Sequence, residues 1–460
     1  MEINTTISTN SLGEKLESFW KLSGEKILAI EDQYDESNGA PVFTEAGKYT
    51  TRGWTEWTQG FQYGSSILQF DATGDNQFLE IGRKNTVEKM ASHVSHIGVH
   101  DHGFNNVSTY GNLLRLMLEG KIEGSKSEQQ FYELALKISG AVQASRWINY
   151  DQGGYIYSFN GPHSLFVDTV RTIRALEVSH LLGHSLQAEQ DASHSLLHRA
   201  IQHALSTAKY SVFYGEGRDQ YDDWGRTAHE CIFNTNNGSY RCPSSQQGFS
   251  GFTTWTRGLS WAMLGFAEQL EFLERIDESE LKGLGDIAEI KAVFLKAAKA
   301  TCDFYIANSS LDGITYWDTG APKMHELKEY QTKNADPFNE YEPVDSSASA
   351  IGAQGLLRLG KYLKEKNDPK GATYFQAGLS VADTLLGDPY LSRNKDHQGL
   401  LLHTIYHYPN NWDYIPEGSK IPYGESCMWG DYHIREVMLL LQRMIDEKSY
   451  YTFFQGLTKK

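Results

Sequence analysis

This chain of 460 residues, 40% hydrophobic and 12% aromatic, is long and apolar enough to bury a large core and too rich in packing groups for disorder. Its formal charge of −16, from 42 Lys+Arg against 58 Asp+Glu with no basic block, excludes the cationic stripe that a nucleic-acid partner needs. Cys231, Cys242, Cys302 and Cys427 lack C-x-x-C spacing, which argues against a zinc finger or a disulfide scaffold; with no leader-like start and no apolar run of about 18 residues, the expectation is a cytoplasmic chain without a membrane span, or a periplasmic one if a leader has been removed.

In chain order, apolar residues recur at helical spacing near 12–32, 57–73, 76–94, 106–119, 127–146, 163–182, 187–207, 253–275, 284–306, 345–364, 369–387 and 424–444. Strand signals are sparse. The run Ser346 to Gly355 is rich in small residues that permit close helix approach, which suggests an inner position. Six hairpins with no low-complexity linker predict an all-α toroid of inner and outer helices in a single domain over 1–460. The runner-up, an open α-solenoid, requires a fixed repeat period that the chain lacks. Irregular stretches at 146–163, 208–252, 307–344 and 388–423 are expected to line one mouth of such a toroid.

Chemistry concentrates in a few stretches. Gly98-Val-His-Asp-His-Gly-Phe104 crowds His100, Asp101 and His102 into one turn between helices; its bland reading is a helix cap in which Asp101 satisfies backbone N–H groups. Asp168 opens another helical segment, so two carboxylates stand at helix starts. The polar run 215–230 carries Arg218, Tyr221, Arg226 and His229 and reads as a binding loop. In the run 245–261, Gln247 and Arg257 could grip a carboxylate or hydroxyls while Trp255 or Trp261 offers a stacking face to a sugar, although a structural arginine and ordinary core aromatics account for the same residues.

The order Trp57-Thr-Gln-Gly-Phe61, Thr73-Gly-Asp75, His100-Asp101 with Gly103-Phe104, Asp168-Thr169, His229, Gln247-Gly-Phe249, Trp255 with Arg257-Gly258 and Trp261, Asp345-Ser-Ser-Ala348 and Trp429-Gly-Asp-Tyr432 resembles the unsaturated glucuronyl hydrolases, glycoside hydrolase families 88 and 105. The resemblance runs from about Trp54 to about Leu441. It implies an (α/α)6 barrel, which agrees with twelve helices, and hydrolysis of the 4,5-unsaturated uronic acid at the non-reducing end of an acidic oligosaccharide. On that analogy Asp168 protonates C4 and assists water addition at C5, and Asp101 positions the double bond and the water. His229 and Gln247 match substrate-binding positions, and Trp57, Trp255 and Trp261 an aromatic cleft. Asp168 must then be protonated near neutral pH, so burial or the Asp101 charge is expected to raise its pKa.

The chain also departs from the pattern. His102 stands where an apolar residue is expected, His163 precedes the acidic residue of the second motif, and the loop from Arg218 to His229 is unusually charged. β-Elimination from a saturated glucuronate end needs a donor for the carboxylate and a base for the C5 proton, which His100, His102, His163, Tyr221, Arg218 and Arg226 could supply; a dehydratase or exo-lyase is therefore an alternative. A hydrolase of saturated β-glucuronides and a non-catalytic sugar-binding barrel are two more. His100-x-His102 with Asp101 also offers metal ligands, but zinc needs three or four that converge, and the resemblance implies no cofactor. The partner expected is an acidic oligosaccharide, with neither nucleic acid nor membrane, and a homo-oligomer is compatible with the chain.

Overall fold

The computed structural model describes residues 1–52, 57–150 and 153–457. Trp54, where the family resemblance begins, lies outside them. Among the described residues, twelve helices alternate between two concentric layers. The outer layer holds α1 (Gly13–Gln33), α3 (Asn76–Lys89), α5 (Lys126–Ser145), α7 (Leu196–Tyr210), α9 (Ile287–Asn308) and α11 (Lys370–Leu385). The inner layer holds α2 (Gln59–Thr73), α4 (His102–Asn105, a wider turn Val107–Gly111, then Asn112–Leu118), α6 (Thr169–Thr172 and Arg174–Leu181), α8 (Thr256–Leu273), α10 (Ser346–Glu365) and α12 (Met428–Ile445). Inner helices pack in sequence from α2 to α12, and α12 packs back on α2, so the ring closes as an (α/α)6 barrel.

Local chemistry sets the helix boundaries. Asp75, Ser125, Ser195, Asp286 and Asp345 each accept backbone N–H bonds from the first turn that follows, which satisfies otherwise orphaned donors of α3, α5, α7, α9 and α10. Gly74 ends α2 in the left-handed region at φ 74°. The small residues of α10 do permit close approach, since a Cβ added to Gly355 would lie 2.9 Å from the Leu264 backbone nitrogen of α8. A continuous apolar cluster runs from Leu12 on α1's approach to Leu457, and no described helix is long and apolar enough to cross a membrane.

Two of the expected helices begin later than periodicity suggests. Residues 163–168 are not helical: Ser164–Phe166 is a strand that pairs antiparallel with Glu230–Phe233, which in turn pairs with Tyr240–Ser244. Leu165-Phe-Val is the kind of short apolar run that periodicity cannot assign, and the partner strand decides it. Likewise Leu186–Gln187 and Ser193–His194 form a small hairpin before the Ser195 cap starts α7. The long irregular stretches gather around the N-terminal ends of the inner helices. Trp57 before α2 packs on Trp429 of α12, and Arg257 at the start of α8 pairs with Asp345 at the start of α10.

Candidate active site

Asp101 and Asp168 stand immediately before the first turns of α4 and α6, yet neither side chain caps its helix. The capping reading of Asp101 therefore gives way, since its side chain makes no cap bond to α4. Both are buried, at 4% and 7% exposure. Gly103 explains how the two helix starts approach, because a Cβ there would sit 2.1 Å from the Thr172 carbonyl oxygen of α6. The turn is further tied to α6 and α5 through the His100 carbonyl, which accepts from Thr172 Oγ1 at 2.8 Å and from Gln143 Nε2 at 2.5 Å.

His100 lies between the acids. Its Nε2 is 3.0 Å from Asp168 Oδ2 and 3.6 Å from Asp101 Oδ1, and its ring stacks on Phe159 with centroids 5.9 Å apart. Burial pushes the His100 pKa down, but the charge of Asp101 and the hydrogen bond and charge of Asp168 overcome it, leaving the imidazole above its ordinary value. For Asp168 burial pushes up, but the hydrogen bond and charge of His100 prevail and hold the carboxyl below its usual range. The expectation of a raised Asp168 pKa is thus corrected. The proton belongs to a His100–Asp168 pair and rests on the imidazole. Asp168 Oδ1 and His100 Nδ1 are both buried without a protein partner.

The antiparallel pairing of Ser164–Phe166 with Glu230–Phe233 carries His229 to this cluster, since Val167 N donates to the His229 carbonyl at 2.9 Å. Nδ1 of His229 accepts the backbone N–H groups of Gln246 and Gln247 at 3.0 and 3.2 Å, which places its proton on Nε2. Burial lowers the His229 pKa to about 4, so the ring is a neutral donor, and Nε2–H has no protein partner. Gln247 turns Oε1 to Arg257 Nη2 at 3.1 Å, which leaves its NH2 as the group it can offer a ligand.

An open cleft adjoins these groups, lined by Asp101 and Gln247 together with Trp57, Val99, Phe159, Gln246, Tyr406, His407, Asn410 and Trp412. Arg257 does not reach in as a clamp. It is 1% exposed and binds Asp345 and the carbonyls of Ile405 and Tyr406. It thereby fixes the loop bearing His407, Asn410 and Trp412, with Asp413 holding the backbone N–H groups of Tyr406 and His407. Trp255 is buried against His229 (4.6 Å) and beneath Arg257, and Trp261 is buried against Phe104 (4.7 Å) and His433 (4.8 Å). Both support the cleft and neither lines it.

Five other expected residues do not converge on the cleft. His102 is buried with Nδ1 on Ser139 Oγ and Nε2 on the His96 carbonyl, each at 2.9 Å, and burial lowers its pKa to about 4; its ring ties α4 to α5. Arg218 donates to the carbonyls of Val212 and Tyr210, both at 2.8 Å, and Arg226 is 3% exposed with its guanidinium 3.5 Å above the Phe213 ring. Tyr221 is 55% exposed beside Phe252. His163 is half-buried on the turn preceding the Ser164–Phe166 strand. Conversely, sequence reading singled out neither Phe159 nor Tyr406, His407, Asn410 and Trp412, although the stretches containing them were expected at the mouth.

As ligands for a cation, His100, Asp101 and Asp168 are the candidate group among the described residues, with one potential ligand atom from each within 4.8 Å of the others. His229 cannot complete that set through Nδ1, which is held by backbone N–H groups, and the 3.0 Å His100–Asp168 contact has the length of a hydrogen bond.

No family model matches the chain. Curated relatives do. The chain is 27% identical over 402 residues to the unsaturated glucuronyl hydrolase of Bacillus sp. (strain GL1), covering 86% of this chain and 89% of that one. It is 24% identical over 393 residues to the unsaturated glucuronyl hydrolase of Formosa agariphila, covering 85% and 81%. Among solved structures, the unsaturated glucuronyl hydrolase of Bacillus sp. GL1 superposes with a TM-score of 0.70 at 22% identity, covering 94% of this chain and 97% of that one.

Proposed function

We propose, for a chain that belongs to the unsaturated glucuronyl hydrolase-like family, that it removes the 4,5-unsaturated uronic acid from the non-reducing end of acidic oligosaccharides, through a single catalytic domain over 1–460. One observation carries the reading. Two buried carboxylates at helix starts, neither used for capping, flank one buried imidazole at 3.0 and 3.6 Å.

The chemistry follows from that arrangement. The substrate double bond is a vinyl ether, so protonation at C4 places positive charge at C5, where the ring oxygen stabilises it. As the sugar displaces water, the proton resting on His100 Nε2 passes along the 3.0 Å hydrogen bond to Asp168, and Asp168 delivers it to C4. Water adds at C5, gives its proton back to the pair and forms a hemiketal. The hemiketal opens and releases the remaining saccharide, and the pair has lost and regained one proton. Asp101, 3.6 Å from Nε2, faces the charge that develops at C5 and orients the water.

The substrate carboxylate is met by neutral donors, His229 Nε2–H and the amide of Gln247, and by the N-terminal ends of inner helices directed at the mouth. In a protein of net charge −16, those helix ends supply the local field expected of arginines. Elimination from a saturated uronate is disfavoured because, of its candidate donors and bases, Arg218, Arg226, His102 and Tyr221 are engaged or exposed away from the cleft, His163 stands on the turn before the Ser164–Phe166 strand, and His100 is held by Asp168. The test is the absorbance of the conjugated uronate with lyase-generated oligosaccharides: its loss is expected, whereas a rise with saturated glucuronate ends would overturn hydrolysis in favour of elimination.

A further inference from the structure

Phe249 and Phe252, at 48% exposure each, and Tyr221, at 55%, present three large rings to solvent on two neighbouring loops. The rings of Tyr221 and Phe252 meet with centroids 5.6 Å apart. These loops are held firmly. Asp318, itself fully buried, accepts Phe249 N at 2.9 Å and Gly320 N at 2.9 Å. Arg226 links the loops to each other, since one guanidinium nitrogen pairs with Asp219, which also accepts Tyr221 N, and the other donates to the Gly251 carbonyl at 3.2 Å. Ser250 and Thr253 close the 249–253 turn through their hydroxyls.

The patch adjoins the cleft. Phe249 follows Gln247, which lines the cleft, by two residues, so their Cα atoms are at most about 7 Å apart, and Phe252 is at most about 17 Å away. Asp318 also neighbours Trp317, whose ring packs edge-on against Tyr408 (5.1 Å) in the loop bearing His407 and Asn410. Buried Asp318 and Trp317 thus brace both the turn bearing the exposed rings and the loop that lines the cleft. Aromatic faces exposed on braced loops at the edge of a polar cleft are what a chain of pyranose rings recognises, because their C–H faces stack without demanding particular hydroxyls.

We propose that Phe249, Phe252 and Tyr221 form a distal saccharide platform, so that this chain favours oligosaccharides extending beyond the leaving sugar over unsaturated disaccharides. Arg226 is its positioning residue. This rests on the hydrolase reading for the location of the cleft. Both loops are fixed before the ligand arrives, so the rings cost little to order.

The experiment compares unsaturated di- and tetrasaccharides released by a lyase from one polymer, in wild type and in a Phe249→Ala/Phe252→Ala variant. Wild type is expected to show a KM about 3- to 10-fold lower for the tetrasaccharide, and the variant to lose that advantage with its disaccharide KM and kcat unchanged. Equal KM for both lengths in wild type, or a variant that keeps the advantage, overturns the platform while leaving hydrolysis intact. Calorimetry with Asp168→Asn reads the same preference as affinity without turnover, so failure of the hydrolase reading and failure of the platform are distinguishable. Light scattering that shows a wild-type dimer abolished by the double variant would reassign the patch to self-association.

Discussion

Asp168 and Arg171 stand one helical turn apart at the start of α6, both buried, and they treat charge in opposite ways. Every guanidinium nitrogen of Arg171 is matched. Nε binds Glu268 at 3.1 Å, Nη2 binds Glu436 at 2.7 Å and Glu268 at 3.2 Å, and Nη1 meets His433 Nε2 at 2.8 Å. Asp168 has one oxygen on His100 and the other without a protein partner. Matched charge in a low dielectric fixes the geometry of the barrel axis, whereas a buried charge with a bonding position to spare is ready to interact with a ligand. The contrast separates a fully matched ion network from a pair with bonding capacity left over within a few residues of sequence.

The largest effects come from breaking each side of that contrast. Asp168→Asn is expected to lower kcat about 10²- to 10⁴-fold with the folded state retained, measured as loss of uronate absorbance alongside thermal unfolding. Turnover within threefold of wild type would remove Asp168 from the chemistry, and unchanged affinity with no wild-type turnover would mark a binding protein. Arg171→Met should instead cost about 3–5 kcal/mol of stability in denaturant titrations, because it removes the guanidinium hydrogen-bonded to both Glu268 and Glu436 and leaves the pair to Arg174 at 3.7 and 3.9 Å. A loss below about 1 kcal/mol would show that the network does not carry the fold.

A smaller effect sharpens the proton assignment. His100→Gln is expected to lower kcat about 10- to 100-fold and to move the alkaline limb of the pH–rate profile to lower pH. In wild type the His100–Asp168 pair must hold one proton, and the His100 pKa lies above its ordinary 6.5, so activity is lost as pH rises through the pair. Without the imidazole, Asp168 must hold the proton alone as a buried carboxyl. A profile unchanged in shape would mean that His100 only packs.

Much of this was legible in the sequence, and the failures have physical causes. Twelve amphipathic segments were visible because each inner or outer helix buries one broad stripe. Asp101, Asp168, His229 and Gln247 stood out because helix starts and the loop ahead of α8 carry few polar groups without purpose. The fate of Arg218, Arg226 and Arg257 was not legible, because an arginine spent on backbone carbonyls and one awaiting a carboxylate look the same until the loops fold. Nor was the role of His407, Asn410 and Trp412, which a loop far along the chain brings to the cleft through the backbone bonds of Asp413 and Arg257. The direction of the Asp168 shift was missed because burial was weighed without the imidazole that opposes it.

Glu177, lower on α6, supplies a third case. It is as buried as Asp168, both its oxygens lack a strong partner, and burial raises its pKa to about 8, with no imidazole to hold it ionised. The folded protein therefore keeps a proton on Glu177 that the unfolded chain releases above its ordinary 4.5. Its contribution to stability is fully present below pH 4.5 and is lost as pH rises toward 8, since the folded state binds more protons across that window. Glu177→Gln, neutral at every pH, should remove this slope and make the variant more stable than wild type at pH 8 by about 4 kcal/mol, with the difference nearly vanishing by pH 4.5. Thermal unfolding at the two pH values measures it. A wild type whose stability does not fall across this window, or a variant that is less stable at pH 8, would mean that Glu177 is ionised and paired. The contrast on α6 would then be between matched charge and a single unmatched site at its N-terminus.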